Sequence, residues 1–342
     1  MVSEARPGGS TSRVVVLAGG WSEEREVSKA SGRAVAAALR SLGYEVVEID
    51  PAYVDFATFP WESVRACFIA LHGGCGEDGT IQALLQQRKV PFTGSPPEAC
   101  RLAISKHLSK ERFRAVGLRT PPWFVCMPET SWYEVRQQAG RIGYPLIVKP
   151  DRQGSSIGVA VAYTSADLEA AVQQALQYDQ VILIERYIAG RELTVALLGD
   201  SPLPPVEIAY CGDCYDYHAK YEAADTRYIV PANLSEELAI EVSAAACTAA
   251  AVLGCQGLSR VDLRIDEGGR AWVLEVNTVP GLTPRSLAPK AAAAVGIDFG
   301  TLCAWMLEEA IERFQQRAET SAPHFRSLTR DRLRRRSARS GW

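Results

Sequence analysis

Asp262, Glu275 and Asn277 stand on two short apolar runs, "LSRVDLRID" and "AWVLEVN", separated by a Gly-Gly turn. Alternate residues of a strand share a face. Arg260, Asp262 and Arg264 therefore fall on one side of the first run, and Val273, Glu275 and Asn277 on one side of the second. Folding the runs antiparallel about "DEGG" brings Asp262 to the Val273–Glu275 level, so two carboxylates and an amide oxygen converge. Oxygen donors alone suit Mg²⁺, which takes one or two carboxylates and leaves room for substrate phosphates. Facing carboxylates repel unless positive charge lies between them, and Arg260 or a divalent ion would supply it.

A second stretch, "KPDRQGSSIG" (Lys149–Gly158), puts a lysine at the end of an apolar run and small hydroxyl residues between two strand-like segments. Flexible backbone N–H groups can wrap a phosphate there, with Lys149 as a point charge. The order is not that of a P-loop, which closes on Gly-Lys-Ser/Thr before a helix. Taken alone, the stretch reads equally well as a plain hairpin turn.

These residues need elements to hold them. "RVVVLAGG", "YEVVEID" and "ACFIALHGG" alternate with helical patterns, which predicts an open parallel sheet in an N-terminal α/β domain over residues 13–100. A helix, "CRLAISKHLSKERFRAVG", leads into an α+β unit over 101–190 with strands "PLIVKP", "IGVAVAY" and "VILIERY". A third unit, 191–316, carries the Asp/Glu hairpin, and residues 1–12 and 317–342 read as tails. The basic "RDRLRRRSARSGW" reads as a solvated tail rather than a nucleic-acid or membrane contact.

Composition narrows the class. The 342 residues carry a net charge of −3, so nothing points to nucleic acid. No run approaches the ~20 apolar residues that cross a bilayer, and "MVSEARPGGSTS" lacks a signal-peptide core. Nine cysteines, mostly in apolar runs, suggest packed thiols and a cytoplasmic location. Cys211, Cys214 and His218 lack a fourth partner for zinc.

Taken together, a strand lysine, a Gly-Ser flap, "LIERYIAGRE" and a distal Asp…Glu-x-Asn hairpin resemble the ATP-grasp superfamily. From Val14 to about Arg313 the chain resembles the D-alanine–D-alanine ligases, through "GGWSEEREVS", "ALHGGCGEDGTIQ", "KPDRQGSSIG", "YDYHAKY", "SRVDLRID" and "EVNTVPGLTPRS". That likeness implies an ATP-grasp fold behind the N-terminal parallel-sheet domain, and ATP-dependent joining of two D-alanines through a D-alanyl phosphate, for peptidoglycan precursors. By the same likeness Glu24 orients the first substrate's amino group with Ser155 and Tyr221, and His72 lies near that substrate. Lys106, Lys149 and Lys220 hold ATP phosphates; Glu185 and Glu192 bond adenine and ribose, with backbone of Arg186 and Ile188 on the base. Asp262, Glu275 and Asn277 bind two Mg²⁺ ions (or Mn²⁺), while Arg260, Gly281, Ser286 and Leu287 take the reacting carboxyl groups. The loop 211–228 is the implied lid, and the family's usual state is a homodimer. Trp21 and Glu23 depart from the family's usual choices. Two rival readings are a ligase for D-lactate or D-serine, against which Tyr221 after Lys220 argues, and a nucleotide-binding regulator without catalysis.

Overall fold

Val14, Val15, Val16 and Leu17 are wholly buried, as a strand covered on both faces must be. They form β1 (Arg13–Leu17), the middle of a parallel sheet in the order β2-β1-β3, with β2 at Glu45–Ile49 and β3 at Val64–Ile69. The computed structural model describes residues 13–210 and 226–321. The N-terminal tail, most of the 211–228 loop with Lys220 and Tyr221, and residues 322–342 lie outside the described residues. Helices α1 (Arg25–Ser41) and α2 (Thr80–Gln87) accompany the sheet.

The single helix expected after this unit is broken in two, α3 (Pro97–Ile104) and α4 (Lys106–Ala115). No helix breaker stands at the joint. Ser105 leaves helical geometry (ψ 105°), its Oγ accepts from Leu108 N–H, and the same hydroxyl donates to Asp151 Oδ2 at 2.7 Å. Backbone N–H groups of Lys106 and His107 also donate to Asp151, to its carbonyl and to Oδ1. A buried carboxylate at a helix start is favoured by the exposed N–H groups there. Tertiary bonding thus overrides a continuous helical pattern, and the break turns Lys106 toward Gln153, whose carbonyl accepts from Nζ at 2.7 Å.

The central unit is an antiparallel sheet in the order β4-β7-β5-β6: β4 (Trp123–Cys126), β5 (Leu146–Pro150), β6 (Ala160–Ala162) and β7 (Ile182–Arg186). Its helices α5 (Trp132–Ile142) and α6 (Ser165–Ala175) each start with a reciprocal capping box, Ser131/Glu134 and Thr164/Asp167. Its apolar core is its own, built from residues such as Val148, Leu168, Val172 and Ile184.

The C-terminal unit is a six-stranded sheet in the order β11-β10-β8-β12-β13, with β9 (Ser201–Pro202) on the side of β8. Its strands β8 (Arg191–Leu198), β10 (Val206–Ala209), β11 (Arg227–Ile229), β12 (Leu258–Ile265) and β13 (Ala271–Asn277) pack against α7 (Glu236–Leu253). Two short-range expectations are corrected. The described end of the predicted 211–228 loop is already strand, since Arg227 and Tyr228 pair with Ala209 and Ile208. The last helix, α9 (Phe299–Ser321), runs past the expected boundary at 316, with Arg317 bonded to Gln256 Oε1 at 2.8 Å. Helix α8 (Leu287–Ala293) and α9 share one core with the N-terminal sheet, in which Val16 and Phe68 join Leu282, Ala291 and Leu302. Among the described residues no helix is long and apolar enough to cross a membrane.

Candidate active site

Lys149 ends β5 and Glu185 stands on β7, whose register sets Glu185 opposite Ile147, two residues from Lys149 on the same face. Lys149 Nζ reaches Glu185 Oε1 at 2.5 Å, and Lys110 Nζ on α4 reaches Oε2 at 2.6 Å as an ion contact. All three side chains are buried. Lys110 also donates to Thr120 Oγ1 at 2.6 Å, and Thr120 in turn to the Val273 carbonyl. The Glu185 carboxylate assigned from sequence to the base is therefore taken up as counter-ion to two lysines. The Arg186 N–H is likewise spent on the Pro122 carbonyl. Glu185 and Arg186 line the cleft together with Ile188 and Glu192, the latter bonded by Tyr210 Oη at 2.7 Å. This cleft, of about 850 Å³, also carries Lys106, Asp262 and Glu275.

One carboxylate cannot neutralise two ammonium groups. Burial pushes Lys110 down to about 8, with Glu185 opposing and Lys149 assisting the shift. Burial works against the charge on Lys149 as well, but Glu185 and Glu275 outweigh it and raise its pKa. The folded protein thus sheds the Lys110 proton near pH 8, whereas the ordinary lysine value is 10.5. Between those values the unfolded chain binds more protons, so stability rises with pH across that window. Buried thiols such as Cys67, Cys100, Cys255 and Cys303, whose pKa burial raises, pull stability the other way as pH rises. The Lys110 contribution is therefore read as a difference: in urea titrations from pH 8 to about 10 the wild type should show a more upward slope than Lys110→Met.

The hairpin pairs Asp262 with Glu275, within the Val273–Glu275 level that the spacing predicts, and Arg260 with Asn277. The prediction fails at Val273. A bulge at the Asp262/Leu263 step sets Leu263 against Val273, so Val273 turns into the core while Leu274 and Glu275 both line the cleft. Asp262 is held by the Arg260 guanidinium at 2.8 and 2.9 Å and by Thr194 Oγ1 at 2.6 Å. Glu275 Oε2 lies 3.4 Å from Lys106 Nζ, and Asn277 Oδ1 accepts from Val279 N–H at 2.9 Å. Two register-paired carboxylates and an amide oxygen at the cleft floor form an all-oxygen set, which fits a hard divalent ion. Among the described residues no group of three His, Cys, Asp or Glu gathers that could hold a metal ion.

A second cleft, of about 1170 Å³, shares Arg260 and Leu287 with the first and is lined by Glu24, His72, Gly154 and Ser155. Glu24 precedes α1 but does not cap it with its side chain; its Oε1 accepts from Ser155 Oγ instead. Ser155 and Ser156 hold φ of 49° and 57°, a left-handed backbone that side-chain-bearing residues rarely adopt. That strain aims the Ser155 hydroxyl at Glu24. His72 is buried, with Nδ1 3.0 Å from the Val279 carbonyl and Nε2 2.8 Å from Ser31 Oγ. A carbonyl only accepts, so Nδ1 carries the proton and Ser31 donates to Nε2. The ring ties the end of β3 to the segment after β13, which positions the cleft wall. Gly281 packs under Ser286, whose Oγ accepts from Thr283 N–H at 3.1 Å.

A methyl group on Gly154 would stand 2.6 Å from Glu24 Oε2. Gly154→Ala should therefore displace the carboxylate and lower kcat/KM about 10²-fold with little change in thermal stability, measurable by steady-state kinetics beside thermal unfolding.

Sequence reading overlooked Lys110, Ser105 and Asp151, and also Arg285 and Lys290 in the second cleft. A signal existed for Lys110: it stands four residues after Lys106, on the same helix face. For Asp151, burial alone would raise its pKa. Bonds from the His107 ring and backbone and from Ser105 hold it below the usual carboxylate range.

Residues 113–308 match the family model for the D-ala D-ala ligase C-terminus, and residues 55–95 that for the D-ala D-ala ligase N-terminus. A D-alanine–D-alanine ligase of Synechococcus sp. (strain JA-3-3Ab) is 43% identical over 307 residues, 88% of this chain and 94% of that relative. One of Alkalilimnicola ehrlichii is 45% identical over 292 residues, 85% and 92% of the two chains. A solved D-alanine–D-alanine ligase of Bacillus anthracis superposes with a TM-score of 0.80 at 32% identity, covering 89% of this chain and 99% of its own. A structure of the same organism's enzyme complexed with ATP gives 0.78 at 29% identity.

Proposed function

Because the chain belongs to the D-alanine–D-alanine ligase family, we propose that its two joined clefts link two molecules of D-alanine at the expense of ATP. The carboxylate of the first D-alanine attacks the γ-phosphorus, the bond to ADP breaks, and D-alanyl phosphate forms. The deprotonated amine of the second D-alanine then attacks the acyl carbon, phosphate leaves, and a peptide bond remains. The product, D-alanyl-D-alanine, serves peptidoglycan precursor synthesis.

The observation that carries this reading is the junction at Arg260 and Leu287, where a lysine-lined cleft meets one lined by the Glu24–Ser155 pair. In this reading Lys106 and Lys149 neutralise the transferring phosphates, and Glu185 keeps Lys149 charged. Glu185 and Glu192 bond adenine and ribose, with backbone of Arg186 and Ile188 on the base. Mg²⁺ (or Mn²⁺), held by Asp262, Glu275 and Asn277, supplies further neutralisation of phosphate oxygens when bound. Glu24, fixed by Ser155, takes the first ammonium; Arg260 and the Gly281 backbone face the acyl oxygen; Ser286 and Leu287 face the second substrate. His72 acts by position. Lys220 on the phosphates and Tyr221 with the Glu24–Ser155 pair complete the set that the family likeness implies, both outside the described residues. The enzyme works in the cytoplasm as a homodimer.

Mass analysis of the product from D-alanine and ATP tests the reaction. Phosphate release with D-lactate or D-serine as acceptor, across pH, tests the alternatives. Preference for either over D-alanine would replace this reading with the corresponding ligase, and absence of any D-alanine-stimulated turnover would leave a nucleotide-binding regulator.

A further inference from the structure

The charges around the second cleft are sorted by origin. Its carboxylates, Glu24 and Glu77, come from the N-terminal unit, whereas Arg285 and Lys290 come from the segment around α8. Glu24 is bonded to Ser155, and Glu77 lies 3.8 Å from His72. Among the described residues neither Arg285 nor Lys290 has a carboxylate partner. Lys290 is half-buried, and its ammonium rests 4.1 Å from the centre of the Tyr228 ring. Burial and the neighbouring Arg285 both push its pKa down, as two cations held close together without a carboxylate between them among the described residues would.

Lys290 follows Ser286 by one helical turn, its N–H bonded to the Ser286 carbonyl at 3.0 Å, so both side chains lie on one face of the helix. That face lines the cleft. A dipeptide has the same polarity as this cleft: an ammonium at one end, for which Glu24 is the partner, and a free carboxylate at the other.

We propose that Lys290 is a specificity-determining residue for the second substrate, its ammonium holding the free carboxylate of the amino acid that becomes the C-terminal residue. This rests on the ligase reading above. The acceptor is then selected as an amine that also bears an α-carboxylate. Packing alone does not call for lysine here, since methionine would fill the same space beside Tyr228 without burying an uncompensated charge.

The test uses the full chain with Lys290→Met and Lys290→Arg, read by ADP release over a wide D-alanine range so that the two substrate sites are resolved. Lys290→Met should raise KM for the second D-alanine about ten-fold or more, with kcat and KM for ATP within about two-fold, and Lys290→Arg should recover most of the loss. A second readout is D-alaninamide as acceptor, which has the amine but no carboxylate. The wild type should favour D-alanine over D-alaninamide, and Lys290→Met should shrink that preference by about the factor lost in KM. A folded Lys290→Met with unchanged second-site KM and unchanged preference overturns the assignment. Should Lys290→Met fail to fold, Lys290→Gln is judged by the same two readouts. A wild type that forms no dipeptide is a distinct result, which overturns the ligase reading itself.

Discussion

Glu275→Ala should abolish D-alanine-dependent ADP release, by about 10³-fold or more, while leaving the fold intact. The side chain projects into the cleft, about a third exposed, and its strand is anchored by the buried Val273 and Val276 on the opposite face. Its removal takes one of the two carboxylates from the oxygen set opposite Asp262. The transferring phosphoryl group then loses charge neutralisation where its barrier is highest, and a 10³-fold drop corresponds to about 4 kcal/mol. Lys106 keeps its bond to the Gln153 carbonyl, so the stability cost should stay near 1 kcal/mol. Turnover assays paired with thermal unfolding check both halves. Activity within about ten-fold of wild type would remove Glu275 from the metal site.

Glu185→Ala should have the largest effect on stability. It would leave Lys110 and Lys149 buried side by side with no carboxylate between them. Removing one partner of a buried ion pair costs about 3–5 kcal/mol, which for a protein of this size lowers Tm by about 10 °C. Adding Lys110→Met should restore part of the loss, because the cost lies in the unpaired charge and not in the missing volume. Lys149 would still have Glu275 and Glu192 acting on it, so the double variant should remain folded. Equal destabilisation of the single and double variants would show that the loss comes from packing. Urea unfolding of the three proteins measures this.

The hairpin was legible because strand periodicity is local: Asp262, Glu275 and Asn277 could be placed from spacing alone. The bulge at Leu274 was not, since the apolar run Trp272–Leu274 carries no polar residue to mark which side faces the cleft, and the irregularity lies in how two strands meet. Lys149 announced itself at a strand end before a Gly-Ser segment, but its partner did not. Glu185 and Lys110 are 75 residues apart in a chain where "SKERFR" reads as a solvated helix face. Their pairing exists only once the fold brings the Lys110 side chain of α4 to Glu185 on β7. The break at Ser105 was hidden for the same reason: no proline or glycine marks it, and Asp151, which causes it, lies 46 residues away. Local pattern reports local geometry; charge partners chosen across the fold leave no mark in it.

The private core of the four-stranded sheet has a mechanical consequence. The bonds that tie this sheet to the other units at the cleft are polar: Lys110 to Glu185, Lys106 to Gln153, His107 to Asp151, Ser155 to Glu24. The apolar core of the sheet is drawn from residues 126–184 alone, whereas the N-terminal sheet and the last helices are fused through one oily interior. Parting the sheet from its neighbours would therefore uncover these ionic groups, which water readily solvates, and leave the sheet's own apolar core closed.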